Sequence, residues 1–119
     1  IGPIPTSRVL SSATLYKIIG AEGRKTMQII LSNPTLRNFL AKSGEFASNI
    51  GFMTEKIKRL IKITKKNGSI GATQNMLGEA FHGIADVQRV PDILDALNSY
   101  DPMIKFFSTA IDFEGARLL

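Results

Sequence analysis

The sequence predicts an α+β fold: a small antiparallel sheet covered on one face by three to four helices. Three observations carry this. Up to Gly68, successive stretches repeat apolar residues at three- and four-residue steps, the spacing of amphipathic helices. At Gly68 that period stops and a glycine-rich stretch begins. Beyond it come short runs rich in Ile, Phe and Thr that suit strands. Helices laid on a small sheet bury the apolar surface of both layers.

The helices are read in order. Ser11 and Ser12 are both competent N-caps, and Ala13, Tyr16, Ile19, Met27 and Ile30 mark a stripe for a helix over 12–32. Gly20 and Gly23 fall on that stripe at about 1 kcal/mol each, so a break near Gly20 is the alternative to one long helix. Asn33-Pro34 ends it, because proline excludes the α region for the residue before it. Thr35 starts a second helix over 35–50, with Leu36, Phe39, Leu40, Ser43, Ala47 and Ile50 inward and Gly51 as its C-cap. Thr54 caps a third over 54–66, with Ile57, Leu60, Ile61 and Thr64 inward and Lys65 and Lys66 in its last turn. Leu36, Phe39, Leu40, Ile50, Ile57, Leu60 and Ile61 form the predicted core.

After Gly68 the pattern is a loop entering a strand at 79–84. Pro91 opens a helix over 91–99, and 103–111 reads as a second strand, antiparallel to the first. The apolar, proline-bearing segment 1–5 reads as an extended lead-in, with Thr6 or Ser7 capping a turn after it. The segment 114–119 reads as a short final strand.

Composition excludes several classes. With 119 residues, 44% of them apolar and 21% charged, the chain reads as one globular domain over 1–119. No apolar run approaches the roughly 20 residues that span a bilayer, and the first residues lack a signal-peptide pattern, so the expectation is a cytoplasmic protein with no membrane partner. There is no cysteine, hence no disulfide, thiolate metal site or thiol nucleophile, and the single histidine, His82, excludes a multi-histidine metal site. Ile1 is not an initiator residue, which suggests a piece of something longer.

Few residues point to chemistry. Lys56, Lys58, Arg59, Lys62, Lys65 and Lys66 supply much of the net charge of +5 and read as the solvated face of the third helix. Nucleic-acid binding through this face is the competing reading, but Thr54, Glu55 and Lys56 at the helix start are not a base-reading set. His82 reads as a structural or surface residue. Asp86, Asp92, Asp95 and Asp101 match no calcium loop, and helix-start charge accounts for Asp92. Arg24, Lys25, Arg37 and Arg117 are isolated cations. The stretch 68–78 is the exception, since closely spaced glycines let a backbone approach an anion or another domain. It is not a Walker loop, because Gly78 is followed by Glu79. A plain helix-to-strand connection has the same spacing.

Three stretches together resemble the C-terminal half of the archaeal pantoate kinases, a branch of the GHMP kinases: Gly2-Pro3-Ile4-Pro5-Thr6, the run from Gly71-Ala72-Thr73-Gln74-Asn75 through Met76-Leu77-Gly78-Glu79, and Gly115-Ala116-Arg117-Leu118-Leu119. The middle run stands where the third GHMP motif is usually glycine-rich. It departs from that form at 73–77 and is similar to the pantoate kinase variant, a small residue and a polar pair followed by Met-Leu-Gly. The resemblance implies a C-terminal domain of GHMP type, with an N-terminal domain of the same polypeptide binding ATP and Mg. It implies transfer of the γ-phosphate to a small hydroxy acid, pantoate, giving 4-phosphopantoate for coenzyme A. Gly71, Ala72, Thr73, Gln74, Asn75 and Gly78 would then form a loop beside substrate or phosphate, anchored from beneath by Met76 and Leu77. The 119 residues themselves would hold no catalytic residue or metal ligand, bind no ATP and have no kinase activity alone. A homodimer is compatible with it. A homoserine or mevalonate kinase relative, or a basic RNA- or protein-binding module without catalysis, are the alternatives.

Overall fold

The structure, a computed structural model, describes residues 11–75 and 78–115. The readings of 1–10, of Met76 and Leu77, and of 116–119 lie outside the described residues.

The first helix, α1 (Ala13–Ser32), begins where Ser12 Oγ accepts from the Leu15 N–H at 3.3 Å and passes Gly20 and Gly23 without a break. It packs on α2 (Leu36–Asn49), and two side chains bridge the pair. Asn38 Nδ2 donates to the Ile29 carbonyl at 3.3 Å and to that of the cap residue Asn33 at 2.8 Å, and Asn49 Nδ2 to Glu22 Oε2 at 3.1 Å. Of the expected α1 stripe Ile30 is buried, whereas Tyr16 and Met27 are exposed.

Helix α2 starts at Thr35, whose Oγ1 accepts from the Asn38 N–H, and stops at Gly51 with φ +77°, the left-handed conformation that glycine adopts without a Cβ penalty. Its buried line is Leu40, Ala47 and Ile50. Leu36 and Phe39, expected in the core, are 43% and 46% exposed, which corrects the reading from period alone. The reasons are length and angle. A helix of 14 residues spans about 21 Å, whereas the four-residue strand beneath it spans about 13 Å, so Leu36 in the first turn overhangs, while Phe39 lies about 100° round the helix from Leu40 and so falls off the buried line.

Helix α3 (Glu55–Lys66) is capped by Thr54 and buries Ile57, Leu60, Ile61 and Thr64. It ends at Asn67 and Gly68, the latter at φ +97°. Strands β1 (Gly71–Gln74) and β2 (Phe81–Ile84) follow and pair antiparallel, with Gly71 opposite Ile84, Ala72 opposite Gly83, Thr73 opposite His82 and Gln74 opposite Phe81. After a 3₁₀ turn at Val87–Arg89 comes α4 (Val90–Tyr100), with Pro91 and Asp92 in its first turn and Ile93 and Leu97 buried.

The strand expected at 79–84 is β2, but its partner is not 103–111. Residues 101–115 hold no strand, and Glu114 and Gly115 of the expected final strand lie in none either. Met103 and Phe107 are each 89% exposed, and Ile104 and Phe106 alone of this segment reach the core. Composition alone does not make a strand, because strand preference depends on the surroundings, and a short connection makes β1 the partner of β2.

The sheet is covered on both faces of β1, not one. Side chains alternate across a strand. Gly71 and Thr73 face α2, as the approach of Leu40 and Gly44 shows. Ala72 and its partner Gly83 face α3, where Thr64 Cγ2 closes on Gly83. Ala72 joins Ile57, Leu60, Ile61, Ile93 and Leu97 in the main core, with Phe81 and Phe106 meeting edge to face at 6.3 Å beside it. The result is a small α+β domain with a two-stranded antiparallel sheet partly covered by helices. Among the described residues no helix is long and apolar enough to cross a membrane.

Candidate functional site

The six residues expected to form a ligand-facing loop are divided by the structure. Gly71, Ala72, Thr73 and Gln74 make up β1 and are all buried, a correction to the loop reading. Asn75 leaves the strand and is exposed, and Gly78 lies within the connection between β1 and β2. The Asn75 N–H donates to the Ala80 carbonyl at 2.9 Å, so Asn75 and Ala80 close the base of the turn.

Each polar side chain has its own environment. Thr73 is 2% exposed on the α2 face, and its Oγ1 has no hydrogen-bond partner among the described residues. Gln74, on the α3 face, is 5% exposed. Its Nε2 donates to the Phe52 carbonyl at 3.3 Å and to the Gly78 carbonyl at 2.9 Å, tying the α2–α3 connection to the far side of the turn. Its Oε1 has no partner among the described residues. Asn75 Oδ1 lies 2.5 Å from His82 Nδ1. The hairpin thus presents Asn75 and His82 to solvent and keeps Thr73 and Gln74 inside.

Sequence reasoning took His82 as unconnected, because its partner lies seven residues away. Only half of the signal was in the sequence: 79–84 reads as a strand but Gly71–Gln74 does not, and it is the hairpin of the two that sets Asn75 and His82 on one face. The ion pair of Lys56 Nζ with Asp101 Oδ2, at 2.7 Å, was equally out of reach. It joins the start of α3 to the end of α4. The hydrogen bond from Lys56 holds the Asp101 carboxyl below its ordinary value, helped by the Met103 N–H at 3.0 Å, and the same bond raises Lys56.

The other charges stay dispersed. Lys58, Arg59, Lys62, Lys65 and Lys66 are exposed along α3, with Lys58 paired to Glu55 at 2.7 Å. Arg24, Lys25 and Arg37 are exposed on α1 and α2, and Arg117 lies outside the described residues. Asp86 stands at the start of the 3₁₀ turn without a side-chain capping bond, and Asp92 sits 3.7 Å from Arg89. Asp92 and Asp95 line a shallow open cleft of about 530 Å³ with Lys66, Asn67, Gly68 and Arg89. Among the described residues no group of three or more His, Asp or Glu is placed to hold a metal ion.

Over 98 residues the chain is 33% identical to the pantoate kinase of Methanocaldococcus jannaschii. The chain is similar to a kinase. The match takes in 82% of this chain and 36% of that protein, so the chain spans about a third of the relative's length. A match of 98 residues in a chain of 119 takes in residues 22–98 wherever it starts, and therefore the whole hairpin. No protein-family model and no solved structure matches the chain.

Proposed function

We propose that the chain is the C-terminal part of an ATP-dependent small-molecule kinase of GHMP type, phosphorylating pantoate to 4-phosphopantoate in coenzyme A biosynthesis. The observation that carries this reading is the 33% identity to a pantoate kinase across 82% of the chain, hairpin included. The reading gives ATP and magnesium to an N-terminal domain of the same polypeptide. It gives this chain the acceptor side, where the exposed end of the hairpin offers neutral hydrogen-bonding groups to a small hydroxy acid.

The test is to incubate the gene's full-length product with ATP, magnesium and, separately, pantoate, homoserine and mevalonate, following ADP release and the new phosphate ester by ³¹P NMR. Turnover with pantoate is expected. Turnover with homoserine or mevalonate alone would move the protein to another branch of the superfamily, and no ester from any acceptor would overturn the kinase reading.

A further inference from the structure

His82 is the single histidine of the chain, is exposed on β2, and carries a ring oriented by one defined partner. Its Nδ1 lies 2.5 Å from Asn75 Oδ1. An amide oxygen only accepts, so Nδ1 carries the proton, and in the neutral ring Nε2 is left with an in-plane lone pair. Among the described residues Nε2 has no partner. The register puts His82 directly across the ladder from Thr73, so both lie on one face of the hairpin, with Asn75 two residues further along that face. On that face the Thr73 hydroxyl is buried without a partner among the described residues, and buried polar atoms rarely stay so. The partner that orients the imidazole is neutral. A carboxylate there would strengthen the ring as a base, whereas an amide fixes its tautomer without adding charge. The arrangement suits a hydrogen-bond acceptor for a hydroxyl group.

We propose that Asn75 and His82 form a hydroxyl-recognition pair, in which His82 Nε2 accepts from a hydroxyl of the small hydroxy-acid ligand and Asn75 holds the ring in the receiving tautomer. The ligand class rests on the kinase reading above. The pairing of the two side chains rests on their geometry. His82 is a substrate-positioning residue in this scheme, and Asn75 acts through it.

The experiment uses the gene's full-length product labelled with ¹⁵N at histidine, the His82 signals being assigned by their loss in His82→Phe. The wild-type ring is expected as the Nδ1–H tautomer, and Asn75→Ala is expected to release it to a mixture. Added pantoate should shift the Nε2 resonance, while 3,3-dimethylbutyrate, the same carbon skeleton without hydroxyls, should not. In steady-state kinetics His82→Phe should raise KM for pantoate about five- to tenfold, the loss of one neutral hydrogen bond, with KM for ATP unchanged. His82→Gln keeps an acceptor oxygen and should recover most of the loss. An Nε2–H tautomer in the wild type, or ring signals indifferent to pantoate, or an unchanged KM in His82→Phe, would each overturn the pair. The two ideas fail separately: turnover with a silent ring sinks the pair alone, and a responsive ring without turnover sinks the kinase reading alone.

Discussion

A Cβ placed on Gly71 would lie 2.8 Å from Leu40 Cβ and 2.9 Å from Leu40 Cδ1. Leu40 is 1% exposed and cannot swing aside, so the seating of α2 on β1 depends on this absence of a side chain. The role of Gly71 is therefore to admit a helix, which is independent of any role beside a ligand.

Gly71→Ala is expected to lower stability by about 1–3 kcal/mol, the usual cost of overpacking. Gly78→Ala, where no described atom lies within 4 Å of the added carbon and φ is not left-handed, should stay within about 0.5 kcal/mol. Urea unfolding of both variants is the measurement, and equal losses would contradict the packing account.

Gln74 and Asn75, adjacent in sequence, should behave oppositely. Gln74→Ala leaves the Phe52 and Gly78 carbonyls without their shared donor and is expected to cost about 1–3 kcal/mol. Asn75→Ala, at an exposed position, should leave the melting temperature nearly unchanged. A stability loss confined to Asn75→Ala would show that the turn is held by the exposed pair.

The Lys56–Asp101 pair predicts a pH signature. Asp101 has a lowered pKa, so its stabilisation is present above the ordinary carboxylate value and is lost as pH falls through the lowered one. Lys56 has a raised pKa, so its stabilisation is present below the ordinary lysine value and is lost as pH rises through the raised one. Melting curves of the wild type and Asp101→Asn should therefore differ near neutrality and converge in strong acid and strong base. Because the pair is partly solvated, the difference should shrink with added salt.

The cationic face of α3 carries Lys58, Arg59, Lys62, Lys65 and Lys66 with no aromatic residue in the helix to stack on a base. Oligonucleotide binding measured by fluorescence anisotropy should be weak, indifferent to sequence and steeply salt-dependent. A complex that survives about 1 M salt, where the screening length is about 3 Å, would point to a dedicated nucleic-acid site instead.

The helix starts at Ser12, Thr35 and Thr54, the stops at Asn33 and Gly51, and the burial of Leu40, Ile50, Ile57, Leu60 and Ile61 were legible in the residues. These depend on caps and on a periodicity that operate within one or two turns, so neighbouring residues suffice to specify them. β2 was legible for a similar reason. β1 was not: Gly-Ala-Thr-Gln has no strand-like composition, and it is a strand because two helices close on its opposite faces and leave room only for small or well-tied side chains. The segment 103–111 is the reverse case, with strand composition but paired to neither strand of the sheet. The exposure of Leu36 and Phe39, the bridging amide of Gln74 and the meeting of Asn75 with His82 were likewise decided by the tertiary structure. Each depends on what lies across space, how far a helix outruns its strand or which residue a hairpin sets opposite, and local propensity carries no information about distant partners.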